Sequence, residues 1–384
     1  MKHLKFLIGF ILLVLTALAS FGTFSLPRVE KGDSDRFSAE RASKHIEVMS
    51  KVPHSVEHPV ERAQVRRYLY DILEDMGGEP EIHEYDSIKF RYGGYFDIGN
   101  VYCQFDPLSG PADSYIMMVA HFDSRFRQTK LQKTVYSYGA GDDAYGVGSI
   151  LELLSQALKY RDEWHQGVRI LLTDSEENAL DGMKCAAKYN PELFENVGYV
   201  VNLESRGMNG PVLLFETSAN NENVLDLYSE AKAPYGYSLT TVVYRFLPNN
   251  TDFTIVKDSI PGINFSTIDN INYYHVDDDN FENINLATIQ HYGAQIEPIL
   301  EEFLTSGEYR DPDALKGDED LVFFTVPILG IFSFTKPQFT LFCSVVFALF
   351  CLALVLNISA RNATLKGVLK KALVIFLSSL MVLA

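Results

Sequence analysis

Apolar residues crowd the two ends of this chain, and between them short apolar runs alternate with stretches of helical periodicity. Ser38–Val52 and Val60–Met76 repeat their apolar positions every three to four residues, and Gly77-Gly78 supplies a left-handed stop after the second. Strand-like runs are expected at Gly99–Phe105, Ser114–Ala120, Val168–Thr173, Val197–Leu203, Val212–Phe215, Ser238–Val243 and Gly262–Thr267. Helices are expected at Ala144–Tyr160, Met183–Tyr189, Asn223–Ala231, Asp252–Lys257 and Leu286–Leu304. Strands alternating with helices over this length predict an α/β body at about residues 35–310: three layers, α/β/α, with a mostly parallel mixed central sheet. The charged, Pro- and Gly-containing stretch Thr305–Asp320 closes it.

The ends read differently. Residues 1–25 carry Lys2 and Lys5 and then an apolar run from Phe6, the pattern of an N-terminal signal anchor or signal peptide. Phe339–Ile358 is uncharged and long enough to span a bilayer, and Ala372–Ala384 resumes after Arg361, Lys366, Lys370 and Lys371. These two runs predict C-terminal transmembrane helices at 338–384, with the sequence breaking off inside the second. Positive flanks at both ends place the body on the non-cytoplasmic side, periplasmic, extracellular or lumenal. Residues 321–337, apolar but interrupted by Pro327 and Gly330, read as a hairpin or an interfacial segment.

The formal net charge of −17 over 384 residues argues against nucleic acid or anionic lipid as a partner and suits a cation site. Four cysteines exclude a disulfide framework, leaving Cys103 with Cys185 as one conceivable pair. Asn249 and Asn264 stand in glycosylation sequons.

Chemistry-bearing residues follow the strands. His121 and Asp123 come after one strand, spaced so that the carboxylate can accept from one ring nitrogen while the other faces a metal. Asp142 and Asp143 open a helix in a glycine-rich stretch, one more acid than an N-cap needs, so that Asp142 could bridge two cations while Asp143 caps. Glu176 and Glu177 end the apolar run VRILLT, Glu204 ends VGYVVNL, and His275 follows PGINFSTI. Taken alone, the Glu pair is an ordinary helix start. Together, three carboxylates and two histidines on one rim of a parallel sheet need cations to neutralise them, and they make up the ligand count of a two-zinc site with room for water.

HFDS, GAGDDAYG, DSEENALDG, NLESRG and YHVDDD, in this order, resemble the motifs of the M28 family of zinc exopeptidases, above all its membrane-anchored members. The resemblance implies two Zn2+ per chain. Asp142 would bridge, His121 and Glu204 would hold one ion, and Glu177 and His275 the other. Glu176 would be the general base, taking a proton from the bridging water and passing it to the leaving amine, with Asp123 orienting His121. The implied activity is removal of terminal residues, chiefly N-terminal, from peptides. Glu204 stands where many soluble aminopeptidases have Asp, which leaves the choice of terminus open. Arg206, Tyr274 and Asp252 are candidate substrate contacts; each also has a structural reading, as an ion pair, core packing and a helix cap. Residues 126–137 look like an inserted lid. Two other functions fit: a single-zinc transferase of the glutaminyl-cyclase kind, and a peptidase-fold module that only binds a partner. Oligomeric state is not legible.

Overall fold

The computed structural model describes residues 2–383 except 23–24, 131–132, 248, 327 and 361–363. In chain order the elements begin with helix α1 (Lys2–Gly22), α2 (Ala39–Met49) and α3 (Pro59–Asp75), then strands β1 (Glu81–Lys89), β2 (Tyr95–Phe105) and β3 (Tyr115–His121). The short strands β4 (Gln128–Lys130) and β5 (Lys133–Val135) precede α4 (Ala144–Ala157), β6 (Gly167–Thr173), α5 (Glu176–Ala179), α6 (Asp181–Tyr189), β7 (Val197–Ser205) and β8 (Leu213–Thr217). There follow α7 (Glu222–Tyr228), α8 (Ser238–Tyr244), α9 (Phe253–Val256), β9 (Gly262–Thr267) and α10 (Leu286–Thr305). The last elements are β10 (Leu321–Val326), β11 (Gly330–Thr335), α11 (Lys336–Ser359) and α12 (Leu365–Leu383).

Seven strands form one sheet in the order β1-β2-β6-β3-β7-β9-β8. Its centre, β6-β3-β7-β9, is parallel, whereas β1, β2 and β8 run antiparallel to their neighbours. Three of the six pairings are therefore antiparallel, and the sheet is mixed rather than mostly parallel. Strand β1 escaped the sequence reading because EIHEYDSIK is a polar, half-exposed edge strand with only Tyr85 buried. The four central strands are buried on both faces: Ile116, Met118 and Ala120 of β3 pack with α2, α4 and α10, and Met117 and Val119 pack with α6 and α9. Burial on both faces explains their continuous apolar runs, and it makes three layers.

Ser238–Val243, expected as a strand, is helix α8; its β-branched residues suit either state, and Thr241 turns inward to donate to Phe215 O at 2.9 Å. Cys103 and Cys185 are unpaired; Cys103 faces the larger core, while Cys185 packs with Ile98, five residues earlier on β2 and so on the other face. Asn264 is buried in β9, where its amide donates to Thr251 Oγ1 (2.8 Å) and Glu216 Oε2 (3.2 Å), so its sequon is unreachable.

The chain divides into two compact units, residues 1–333 and 334–384. In the second, α11 is long and apolar enough to cross a membrane, and it is the one such helix among the described residues. Its start is fixed by a capping box between Thr335 and Gln338. Lys366, Lys370 and Lys371 lie within the first turns of α12, and Arg361 falls outside the described residues. Before α11 in the chain, β10 and β11 pair as a two-stranded sheet, and Pro327 between them lies outside the described residues.

Candidate metal centre

Parallel strands deliver their C-terminal ends to one rim, and ligand-binding groups gather there. His121 is the last residue of β3, Glu204 the penultimate residue of β7, Glu176 and Glu177 open α5 just after β6, and His275 follows β9 by eight positions. Asp142 comes from the loop before α4, where Asp143 is the N-cap, accepting from Gly146 N at 3.1 Å. Ser175 and His275 hold φ of 62°, a left-handed conformation uncommon for residues with a side chain and concentrated at functional sites.

The structure brings all five groups together. His121 Nε2 lies 3.1 Å from Asp142 Oδ1 and 3.9 Å from Glu204 Oε2. His275 Nε2 lies 3.1 Å from Asp142 Oδ2 and 2.9 Å from Glu177 Oε1. These make two three-residue groups, His121-Asp142-Glu204 and Asp142-Glu177-His275, each with ligand atoms within 4.8 Å of one another and with Asp142 common to both. Asp142 Oδ2, Glu177 Oε1 and His275 Nε2 are buried and close, yet none makes a hydrogen bond. Donor atoms converging on a common point without bonding one another fit a metal ion better than a polar core, which pairs its groups.

The electrostatics carry the same signature. Burial would hold the imidazole of His275 neutral, but Glu177 and Asp142 lift its pKa to about 9, and Asp123 and Asp142 likewise overcome burial to raise that of His121. The Asp142 carboxyl is drawn far below its usual range against burial, by both histidines. Burial pushes Glu204 up to about 8, with Asp142 and Asp252 adding to it against His121. Glu176 is raised well above its ordinary value by burial, and its neighbours Glu204, Glu177 and Asp252 reinforce the shift against the pull of His121. Its carboxylate makes no hydrogen bond among the described residues. Shifts of both signs within one buried cluster are characteristic of a functional site.

Supporting contacts refine the sequence reading. His121 Nδ1 meets the Asp123 backbone carbonyl at 3.0 Å, whereas the Asp123 carboxylate stands 3.5 Å away and accepts from Glu176 N at 2.9 Å. Asp123 thus ties His121 to the strand end that presents Glu176. Asp279, third of the Asp277-Asp278-Asp279 run, accepts from Gly141 N (2.6 Å) and Ser137 Oγ (2.7 Å), and so holds the loop that carries Asp142. Asp252 stands at the start of α9 but makes no cap; it accepts from the Thr173 hydroxyl, buried beneath the rim. Arg125 escaped the sequence reading: its Nη1 lies 2.7 Å from Glu177 Oε2 and 2.9 Å from Glu177 O, and its guanidinium covers the Phe126 ring at 4.2 Å. The signal was a basic residue two positions after Asp123 in HFDSR. Within the expected lid at 126–137, Phe126 is buried and β4 and β5 form a hairpin; residues 131–132 lie outside the described residues.

Tyr274 stacks on His275, ring centroids 3.5 Å apart, and the Arg206 guanidinium lies 5.7 Å over Tyr274. Among the described residues Arg206 has no ion-pair partner. It stands between the Asp142–Tyr274 cleft and a cavity of about 310 Å³ walled by Leu213, Phe215, Leu239, Val243, Leu247 and Ile268.

Fold and site together define a class. The structure superposes on an aminopeptidase from Aneurinibacillus sp. strain AM-1 with a TM-score of 0.57 at 14% identity, covering 72% of this chain and 97% of that one. Porphyromonas gingivalis glutaminyl cyclase matches with the same TM-score at 18% identity, covering 70% and 99%. The fold is zinc exopeptidase-like. The sequence model of peptidase family M28 matches residues 100–300, and the chain belongs to that family of metallopeptidases. It is 30% identical over 260 residues to endoplasmic reticulum metallopeptidase 1 of Homo sapiens. That match takes in 66% of this chain but only 27% of the human protein, so the chain spans about a quarter of that relative.

Proposed function

We propose that the chain is a membrane-anchored zinc exopeptidase, an aminopeptidase that removes terminal residues from peptides. The observation that carries this reading is the pair of three-ligand groups sharing Asp142, beside a Glu176 whose carboxylate makes no hydrogen bond among the described residues. His121, Asp142 and Glu204 would hold one Zn2+, and Asp142, Glu177 and His275 a second. Zinc there supplies Lewis acidity toward a peptide carbonyl and makes water more acidic.

The remaining work falls to this chain's own side chains. Glu176 takes the proton from the attacking water at its carboxylate and delivers it to the leaving amine nitrogen. Arg206 and Tyr274, beside the ligands, steady the carbonyl oxygen as charge develops on it. Arg125 fixes the rotamer of Glu177, and Asp123 fixes His121. The apolar cavity behind Arg206 takes the side chain of the terminal residue.

Anchoring rests on α11, with residues 1–25 as a second anchor or a signal, residues 35–310 as the exported catalytic domain and 338–384 as a membrane region. A single-zinc cyclase is the second reading, because a cyclase shares the fold. The His121-Asp142-Glu204 group argues against it by providing a second ion site.

The test compares Glu176→Gln with Glu177→Gln. Glu176→Gln keeps its metal and loses roughly 10²–10⁴-fold in kcat, the usual contribution of a general base. Glu177→Gln loses metal. Near-normal turnover in Glu176→Gln removes it from the role of base, and one zinc per chain together with cyclisation of N-terminal Gln favours the second reading.

A further inference from the structure

Helix α8 and the turn after it have apolar residues on the wrong side for a water-soluble surface. Thr241 turns into the body and Leu239, Val243 and Leu247 wall the apolar cavity, while Val242 and, in the following turn, Phe246, spaced i and i+4, point away from both. Phe246 is 85% exposed. Ordinary surface helices put such residues inward, and contiguous exposed apolar area marks an interaction surface.

The β10–β11 hairpin extends this exposed apolar surface. Phe323 N donates to Ser238 Oγ at 2.7 Å and Thr325 N to Gly236 O at 3.0 Å, fixing β10 against the start of α8. At the hairpin's turn Ile328 is 95% and Leu329 69% exposed, and Leu321–Thr335 contains no charged residue. Its turn shares a cavity with Gly22 and Ser25, at the end of α1, and β11 passes without a linker into α11.

We propose that Val242 and Phe246, on the outer side of α8 and the turn after it, rest with the turn of the β10–β11 hairpin in the interfacial layer of a zwitterionic phospholipid bilayer. This inference rests on the membrane-anchored reading above. The occupant is lipid rather than a soluble partner because β11 is continuous in sequence with α11, the apolar helix read above as the anchor, and the hairpin itself carries no charge. It is zwitterionic lipid because a chain of net charge −17 is repelled by anionic headgroups, leaving apolar contact as the attraction. Residues of α8 also wall the 310 Å³ cavity, so the helix on the membrane is the one that shapes the proposed terminal-residue pocket.

The experiment uses the full chain, with Cys343 and Cys351 replaced by Ala, reconstituted in phosphatidylcholine vesicles. Single cysteines are introduced as Val242→Cys, Phe246→Cys or Ile328→Cys and labelled with an environment-sensitive fluorophore. Leu108→Cys and Tyr189→Cys, exposed apolar positions elsewhere, serve as controls, and Val345→Cys reports α11. Nitroxide-bearing phosphatidylcholine should quench the α8 and hairpin labels at least about twofold, for a face inserted roughly 5–10 Å, and leave the Leu108 and Tyr189 labels unchanged. Aqueous iodide should show the reverse order. Labels at Phe246 and Ile328 quenched by iodide and not by lipid overturn the inference. Shielding from both quenchers also overturns it, since a protein partner or second copy then covers the face. A Val345 label that lipid does not quench refutes the anchored reading itself, which distinguishes that failure from failure of the docking face.

Discussion

Asp279→Ala should disarm the site without touching a single ligand. The Asp279 carboxylate is buried and accepts two hydrogen bonds, from Gly141 N at 2.6 Å and from Ser137 Oγ at 2.7 Å; Gly141 immediately precedes Asp142, the one residue common to both ligand groups. Burial and the nearby Asp142 lift the Asp279 pKa to about 7, so the two bonds lie between ordinary ones, about 0.5–1.5 kcal/mol each, and bonds to a charged acceptor, about 1.5–3 kcal/mol each, and their loss costs the loop roughly 1–6 kcal/mol. Relaxation and water entry recover part of this. What reaches the metal is the loss of a supporting contact, which typically weakens metal affinity about 10–100-fold. The assay is zinc affinity by competition with a chromogenic chelator, run beside thermal melting. Asp278→Ala, an exposed neighbour in the same acidic run, is the control and should bind zinc as the parent does. Wild-type affinity in Asp279→Ala, with an intact fold, would refute the claim that Asp279 holds the loop in place.

Further outcomes follow from other contacts. Asp174 is buried 3.3 Å from Arg62 Nη1 and 3.8 Å from Arg66 Nη1, so Asp174→Ala strands a buried arginine and should cost about 3–5 kcal/mol, or roughly 6–20 °C of Tm by calorimetry. His291 accepts from Val212 N at 2.9 Å and donates to Ala233 O at 2.8 Å, and burial lowers its pKa to about 4. Because the unfolded chain then binds the extra proton first, stability contributed by His291 is complete above pH 6.5 and is lost as pH falls from 6.5 toward 4; the loss is about 3 kcal/mol. Denaturant melts of the parent and of His291→Gln should differ in pH slope across that window, and equal slopes would contradict it. In the apolar cavity, substrates with terminal Leu or Phe should exceed those with terminal Glu or Lys by roughly 10–100-fold in kcat/KM, measured on a panel of terminal-residue amides.

Much of this architecture was legible because the parallel centre of the sheet imposes its own pattern. Strands buried on both faces must be apolar throughout, and the acids and histidines just beyond His121, Thr173 and Leu203 stand out against them. The edges were not legible, since β1 is polar and half-exposed and carries no such run. Helix α8 was misread because its β-branched residues favour extended chain, and packing on β8 overrode that preference. At the site, spacing after strands assembled the candidate ligands, but the partners that hold them come from remote chain. Arg125 reaches Glu177 across 52 residues, and Asp279 reaches Gly141 across 138. Such pairings depend on tertiary placement and leave little local trace.

The central claim, two zinc ions held through Asp142 in an exopeptidase site, is tested most directly by metal analysis of the purified chain coupled to hydrolysis of free and N-blocked peptides, with and without chelator. The account predicts two zinc per chain, release of terminal residues from unblocked peptides, loss of that activity on chelation and its return with zinc. Hydrolysis that survives complete metal removal, or a chain that binds no zinc and cleaves no peptide, would contradict it.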